Sequence, residues 1–589
     1  MKPSSPRRAR ITIFPLVLLI SVLAWLLGPA LPPWLELVAQ ASSLPLLLRV
    51  DDTDARYPIL LDPFVEHARL MASDGGVYDA FGSSLAVSAD GTLIVVGAPQ
   101  LPWLGAGKTY VFVKQAGGGG QYVEQAYLRA SDGRLGDGFG SVAISPDGQT
   151  IAVGAYRRSA GRGAVYVFEQ PVGGWSGTLT ETALLRASDP VHGDFLGSVL
   201  ATDGQTIVAG AFGSYVGDND AQGTVYVYVK PTGGWVSTSE DARLIASDGA
   251  YGDFLGGAVA REGDTVLAGA ESANIGSNAV QGAAYVYEQP AGGWSGTLTE
   301  TAKLTASDGV PFSHFGNAVA LAGAALVVGA LGDTAIPGAA YVFQKPAGGW
   351  VSGTETARLS PSDGAAYNLF GSGVALRDEL VVVGAEGAHV DDQLQQGAVY
   401  VFAEPPGGWM GTLNENDKLI ASDGQGDAHF GEEVALGGAA LVVGAPFDEN
   451  PYFFEGKAYV FVDDTPQLLL ELPYRYYASS GENGGGTFQL YDDGSFATDA
   501  GASGHWAYLP APQLFLLQFD TDHFCAAFFL GRAQTGVVRG VYDCQDGSEV
   551  GGLWFGTFSL PLDELPATPL GDPSLEAPSE LLRALERAS

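Results

Sequence analysis

Cysteine, histidine and positive charge are all scarce in this 589-residue chain, and each scarcity removes a class of function. The two cysteines, Cys525 and Cys544, are too few for a thiolate zinc centre, and no Cys-x-x-Cys occurs. In an exported protein this pair reads as one disulfide; two buried thiols are the other reading. The seven histidines form neither His-x-x-x-His nor His-Glu-x-x-His, so no zinc-hydrolase signature is present. With 29 basic against 66 acidic residues the formal net charge is −37, which repels phosphates and excludes a nucleic-acid partner. No Gly-x-Ser-x-Gly joins a strand to a helix, and the glycines at 117–120 lack the Lys-Ser/Thr of a phosphate loop. No catalytic residue and no cofactor site emerge. Carboxylates are numerous, however, and a glycosidase pair assembles in space rather than in sequence, so a polysaccharide hydrolase stays as a rival class.

Apolar runs that approach the length of a membrane span are also absent, except at the start. Lys2, Arg7, Arg8 and Arg10 precede an apolar run from Ile11 to Leu27, followed by the small-residue pattern Ala39-Gln40-Ala41. This predicts a signal peptide over 1–41, a connecting segment over 42–64, and a secreted or cell-surface protein. An uncleaved anchor is the alternative, and membrane contact is expected only through that segment.

What the chain has in abundance is glycine, with 83 copies, arranged in a repeat. Seven times it runs through Leu-x-Ala-Ser-Asp-Gly, Phe-Gly, an apolar stretch ending Gly-Ala, and Tyr-Val-Phe or Tyr-Val-Tyr, with local variation. The Gly-Ala pairs begin at Gly97, Gly154, Gly210, Gly269, Gly329, Gly384 and Gly444. A period of this size signals a solenoid or a propeller. In one unit, Phe139 to Ser145 reads as a strand and Pro146-Asp147-Gly148 as a hairpin turn. Ile151 to Ala155 and Ala164 to Phe168 then read as strands covered on both faces, and Thr182 to Ala187 as a fourth. Four antiparallel strands per unit describe an all-β, seven-bladed β-propeller over 65–464. The first Leu-x-Ala-Ser-Asp-Gly precedes the first Phe-Gly, and the seventh unit stops after its third strand. The segment His67 to Ala72 is therefore expected to supply the outer strand of blade seven and close the ring.

Phe81-Gly82 with Gly97-Ala98-Pro99, and Phe430-Gly431 with Gly444-Ala445-Pro446, resemble the FG-GAP repeat of integrin α-subunit propellers. Together with Gly-Gly-Trp, the pattern is similar to the bacterial branch of FG-GAP repeat proteins over Val65 to Asp464. The resemblance implies a seven-bladed propeller and extracellular recognition or adhesion, with the loops between strands two and three on the ligand-facing rim. The calcium loop of many such blades is not matched. Its positions in blade one are Ala86, Ser88, Asp90 and Ile94, and in blade two Ala143, Ser145, Asp147 and Ile151, too few oxygens for calcium.

A different acidic pair recurs in the loops entering the blades: Asp74 with Asp79, Asp132 with Asp137, Asp189 with Asp194, and Asp248 with Asp253, with Ser313 and Asn368 in the second place at blades five and six. Two carboxylates five residues apart can share a cation, calcium included; Ser-Asp-Gly is also an ordinary turn former. On the rim, blade seven carries Phe447, Asp448, Glu449, Tyr452, Phe453 and Phe454, and its ring neighbour carries Leu101 and Trp103. Such a cluster suits a binding patch, or packing against the C-terminal domain or the closing strand.

From Gln467 the grammar changes. Alternating segments and the turns Asp493-Gly494 and Asp546-Gly547 predict a small antiparallel β domain over 465–562, a barrel or a sandwich. A Pro-rich tail over 563–589 ends in a short predicted helix, Glu580 to Arg587. The combined expectation is a non-catalytic binding or adhesion module for an extracellular protein or glycan. The rivals are the hydrolase and a structural envelope protein.

Overall fold

The computed structural model describes residues 64–100, 104–115, 121–332, 336–391, 393–449 and 452–463, and the backbone of eight strands between 468 and 557. The expected signal peptide, the connecting segment up to residue 63, the terminal helix, and Leu101 and Trp103 lie outside the described residues. Among the described residues no helix is long and apolar enough to cross a membrane.

The repeat folds as a seven-bladed propeller. Blade two shows the plan: Phe139–Ile144, Thr150–Ala155, Val165–Glu169 and Ala183–Arg186 lie side by side as an antiparallel sheet. The second strand is buried at all six positions and the third at four of five, because both faces are covered by neighbouring blades. The inner strands form a closed circle about the axis. Ser84–Val87 touches Phe139–Ile144, each inner strand touches the next, and Val434–Gly437 touches Ser84–Val87 again. Apolar side chains gather into seven clusters, each filling the space between two adjacent blades. Phe139 illustrates the packing: it meets Tyr166 edge-on at 5.5 Å and Phe168 at 6.2 Å, an arrangement repeated by Phe81, Phe315, Phe370 and Phe430.

The ring closes as the phase of the repeat requires. Phe64–Leu70 pairs antiparallel with Lys457–Asp463 as the outer strand of blade seven. The strand begins three residues before the expected His67, because Phe64 is itself buried, at 3% exposure, between blades six and seven.

One feature departs from the four-strand expectation. A short segment after the Gly-Gly-Trp turn crosses to the preceding blade and adds a parallel fifth strand there. Gly177–Thr180 lies beside Tyr122–Arg129, Gly296–Thr299 beside Ala242–Ile245, and Gly411–Leu413 beside Ala357–Leu359. Trp175 anchors this excursion. It is buried and donates its indole N–H to the Gly148 carbonyl at 2.9 Å, in the inner hairpin of its own blade.

Beyond the propeller, five strands from Leu468–Tyr477 to Leu514–Phe519 form one antiparallel sheet. Cys525–Leu530, Val537–Cys544 and Leu553–Thr557 form another. The backbone register sets Cys525 directly opposite Cys544.

Candidate functional site

In each blade the inner strand begins where the second strand ends: Phe139 faces Ala155, Phe315 faces Ala330, and Phe370 faces Ala385. The residue before each Phe or Leu, and the residue after each Gly-Ala, therefore lie at one end of the ring. The first of these positions is left-handed in all seven blades, from Ala80 and Gly138 to His314, Leu369 and His429, with φ between 52° and 67°. A backbone state repeated seven times belongs to the fold, so chemical difference between blades comes from the side chain each presents.

Blades six and seven present an imidazole and carboxylates. His429 Nδ1 stands 3.4 Å from Glu386 Oε2. Together with Glu432, the ligand atoms of the three residues lie within 4.8 Å of one another. Burial first, then the Glu386 and Glu433 carboxylates, push the Glu432 carboxyl up; burial pushes Glu433 up to about 8. A fainter echo lies between blades four and five, where His314 Nδ1 is 3.8 Å from Glu271. There Asn317 occupies the position of Glu432.

The same histidine leads into an aromatic cluster. Its ring meets Phe447 at 4.9 Å, Phe447 meets Phe454 at 5.2 Å, and Phe454 stacks on Phe453 at 4.0 Å. Tyr78, in the loop leading into blade one, packs edge-on against Phe453 and Phe454 at 5.2 and 5.6 Å. Tyr452 is 49% and Phe453 44% exposed, which makes them the outward part of this group. Glu449 is exposed as well. Asp448 is not part of the outer surface: it is buried, with Lys457 Nζ at 3.0 Å and the Tyr459 hydroxyl at 3.3 Å.

The acidic pairs ahead of the blades follow one scheme. The first aspartate meets a lysine or arginine and a tyrosine hydroxyl: Asp74 with Lys108 at 2.9 Å and Tyr110 at 2.6 Å, Asp132 with Arg158 at 2.6 Å and Tyr166 at 2.8 Å. Asp189 pairs with Arg243 and Asp248 with Lys303, both at 2.6 Å. The scheme continues in Asp308 with Arg358, Asp363 with Lys418, and Asp423 with Lys457. The second aspartate, buried, accepts the backbone N–H three residues earlier: Asp79 from Gly76, Asp137 from Arg134, Asp194 from Val191, and Asp253 from Ala250. Lys108 stands 2.9 Å from Asp74 and 3.9 Å from Asp79, so a side-chain ammonium already serves both carboxylates.

These pairs fix a pH dependence. Partial burial works against ionisation of Asp74, Asp132, Asp248, Asp363 and Asp423, but the hydrogen bonds and charges of their partners outweigh it. Their pKa values are lowered. A depressed carboxyl stabilises the fold above its unfolded pKa of about 3.9, and that contribution disappears as pH falls through the folded value. Asp363 is about half exposed, so its share is modest. Asp363→Asn is expected to lower the melting temperature at pH 7 by about one or two degrees, and by less as the pH is taken down towards about 2.5. An equal loss at both pH values would assign the residue a role other than its charge.

A separate cleft of about 330 Å³ lies at blades three and four, lined among others by Asp189, Asp194, Tyr215, Tyr226 and Arg243. That is near the lower bound for small-molecule sites. In the hairpins where calcium loops occur in the resembling family, Asp90 accepts from the Ser88 hydroxyl at 2.6 Å and the Thr92 N–H at 3.0 Å, within its own turn. Glu386, His429 and Glu432 are absent from the residues singled out by motif. Aligning the seven repeats on the position after Phe-Gly (or Leu-Gly) would have shown the last of them: it holds Ser83, Ser141, Ser198, Gly257, Asn317, Ser372 and then Glu432.

The FG-GAP repeat family matches seven segments of the chain: 64–112, 122–168, 179–228, 238–287, 298–343, 354–402 and 413–461. No curated protein matches. Among solved structures, the Kuenenia stuttgartiensis hydrazine synthase is similar at 12% identity and TM-score 0.38, over 64% of this chain and 95% of that one. The periplasmic gluconolactonase PpgL of Pseudomonas aeruginosa is similar at 16% identity and TM-score 0.35, over 58% and 86%. The β-propeller domain of the Trilobed protease from Pyrococcus furiosus, of open velcro topology, is similar at 9% identity and TM-score 0.33, over 70% and 96%. At these identities and scores the likenesses carry nothing about function.

Proposed function

This chain belongs to the FG-GAP repeat family, and from that membership together with the aromatic cluster of blade seven we propose that it is an exported binding module for an extracellular protein or glycan. The observation that carries the reading is the group Phe447, Phe453, Phe454 and Tyr78, with Tyr452 and Phe453 facing solvent. Aromatic side chains supply large contact area at low entropic cost, and they dominate the energetics of recognition surfaces. The basic and apolar N-terminal segment supports export. A propeller suits this work because the rim loops vary freely while the blades hold them in place.

Replacing Tyr452 and Phe453 together by alanine is expected to reduce capture of a surface protein or glycan at least about tenfold, with a melting temperature within about two degrees of the parent. A large loss of melting temperature would identify the pair as packing residues instead.

A second reading is favoured by one arrangement. Glu386 and Glu432 place carboxyl oxygens within 4.8 Å of each other at the end of the ring, and one of the two is held protonated to higher pH than usual. Two facing carboxyl groups, one of them kept protonated so that it can act as an acid, are what glycoside hydrolysis requires. Release of reducing ends from a polysaccharide, abolished by Glu432→Gln, would establish this reading over the first; binding without release would exclude it.

A further inference from the structure

One carboxylate ahead of every blade of this propeller is answered by a basic side chain. The first aspartate ahead of each blade has a lysine or arginine within 3.2 Å, from Asp74 with Lys108 round to Asp423 with Lys457. At the seam of blades six and seven three glutamates converge, and the group answering them is an imidazole. Among the described residues no lysine or arginine ion pair reaches Glu386, Glu432 or Glu433. The position of Glu432 holds only Ser, Gly or Asn in the other six blades, so the extra acid is peculiar to this seam.

We infer that Glu386, His429 and Glu432 form a site for a divalent first-row transition metal, with zinc the best fit. The donor set, one imidazole nitrogen and two carboxylates, suits zinc better than calcium or magnesium, which prefer oxygen throughout. The geometry agrees. Ligand bonds of about 2.0–2.1 Å set tetrahedral donors roughly 3.3–3.4 Å apart. His429 Nδ1 and Glu386 Oε2 are 3.4 Å apart. All three donor atoms lie within 4.8 Å of one another. The imidazole donor is well held: His429 packs on Phe447, and its backbone N–H is bonded to the Gln395 carbonyl. Three protein ligands leave one position open to water or to a ligand atom, as catalytic rather than structural zinc sites do. The echo between blades four and five supplies an internal control. Glu271 and His314 reproduce the first two donors at 3.8 Å, but Asn317 replaces the third, so that seam is not a site.

The inference stands apart from the binding and hydrolase readings, because its test counts metal and not partner or product. The full chain, stripped with chelator and titrated with zinc, is expected to take up one ion tightly. Glu432→Gln and His429→Asn should each weaken uptake on the order of 100-fold or more, while His314→Asn leaves it unchanged. X-ray absorption at the zinc edge of the unaltered chain should show a nitrogen and oxygen shell with one imidazole and no sulfur, a readout independent of whether any variant folds. No tight uptake, uptake unaffected by both substitutions, or a shell with sulfur or several imidazoles would overturn the site.

Discussion

A chain lacking Phe64–Leu70 is expected to lose its cooperative melting transition near the parent temperature, and to associate with itself. This strand is the outer member of blade seven, paired with Lys457–Asp463 from Phe64 opposite Asp463 to Leu70 opposite Ala458. Phe64 and Leu70 are 3% and 2% exposed. Burial of two such side chains contributes about 3–6 kcal/mol. The polar contacts are equally placed at the seam. Glu66 accepts from the N–H and hydroxyl of Ser422 at 2.9 and 2.8 Å, and Arg69 reaches Asp423 at 2.9 Å. The Ser–Glu contact recurs at each junction, from Glu124 with Ser73 to Glu415 with Ser362, so the N-terminal strand supplies the seventh copy. Against a domain stability of about 5–15 kcal/mol, a loss of this size moves the transition far below the parent temperature. The exposed edge of Lys457–Asp463 would then recruit another strand. Calorimetry and light scattering read both effects. A synthetic peptide covering 62–72 should restore the transition in proportion to its concentration, as expected of a ligand that binds only the folded ring. A monomer melting at the parent temperature would show that the ring closes without this strand.

That strand was legible because its signal is a phase. One unit begins with an outer strand that has no inner strand before it, and another ends one strand short. Its start was misplaced because Phe64 declares itself core only through contacts with blade six. The parallel fifth strands were not legible. Gly177–Thr180 is largely exposed and lacks an apolar pattern, and its partner belongs to the blade before it. Side-chain partnerships divided in the same way. The Asp–x4–Asp spacing is visible in the chain, but the cation that answers Asp248 is Lys303, 55 positions later. Glu386 and His429 are 43 positions apart and come from different blades. A histidine with no local motif gives no sign of a neighbour at that separation; only its place in the repeat does. The aromatic cluster lay between these extremes, since Phe447, Phe453 and Phe454 share one loop, whereas Tyr78 reaches them only through ring closure.

The glycine of each Gly-Ala pair should be the least tolerant position in the molecule, and Gly154→Ala the clearest case. Its backbone is ordinary extended strand, so the requirement is for space and not for conformation. A Cβ at Gly154 would overlap the carbonyl oxygen of Gly197, at the start of the next inner strand, with the Gly197 carbonyl carbon at 2.8 Å. The obstacle is backbone, which cannot rotate away as a side chain tip can. Relief therefore requires blade three to move off blade two. The circle of inner strands transmits that movement, because every other Gly-Ala glycine meets its neighbour in the same way: Gly97 faces Gly140, Gly384 faces Gly431, and Gly444 faces Gly82 across the closure. Overpacking in a well-filled core costs about 1–3 kcal/mol and more where the backbone is fixed, so a loss of about 3 kcal/mol or greater is expected for alanine, and failure to fold for valine. Gly292→Ala supplies the contrast. Nothing lies within 4 Å of its added Cβ, and its φ is not in the left-handed region, so alanine there should be neutral or stabilising by a few tenths of a kcal/mol through its smaller unfolded-state entropy. Denaturant melts of the two variants separate the alternatives. If Gly154→Ala were as harmless as Gly292→Ala, the blades would be able to slide past one another, and close backbone contact between blades could not be what makes this repeat keep its glycine.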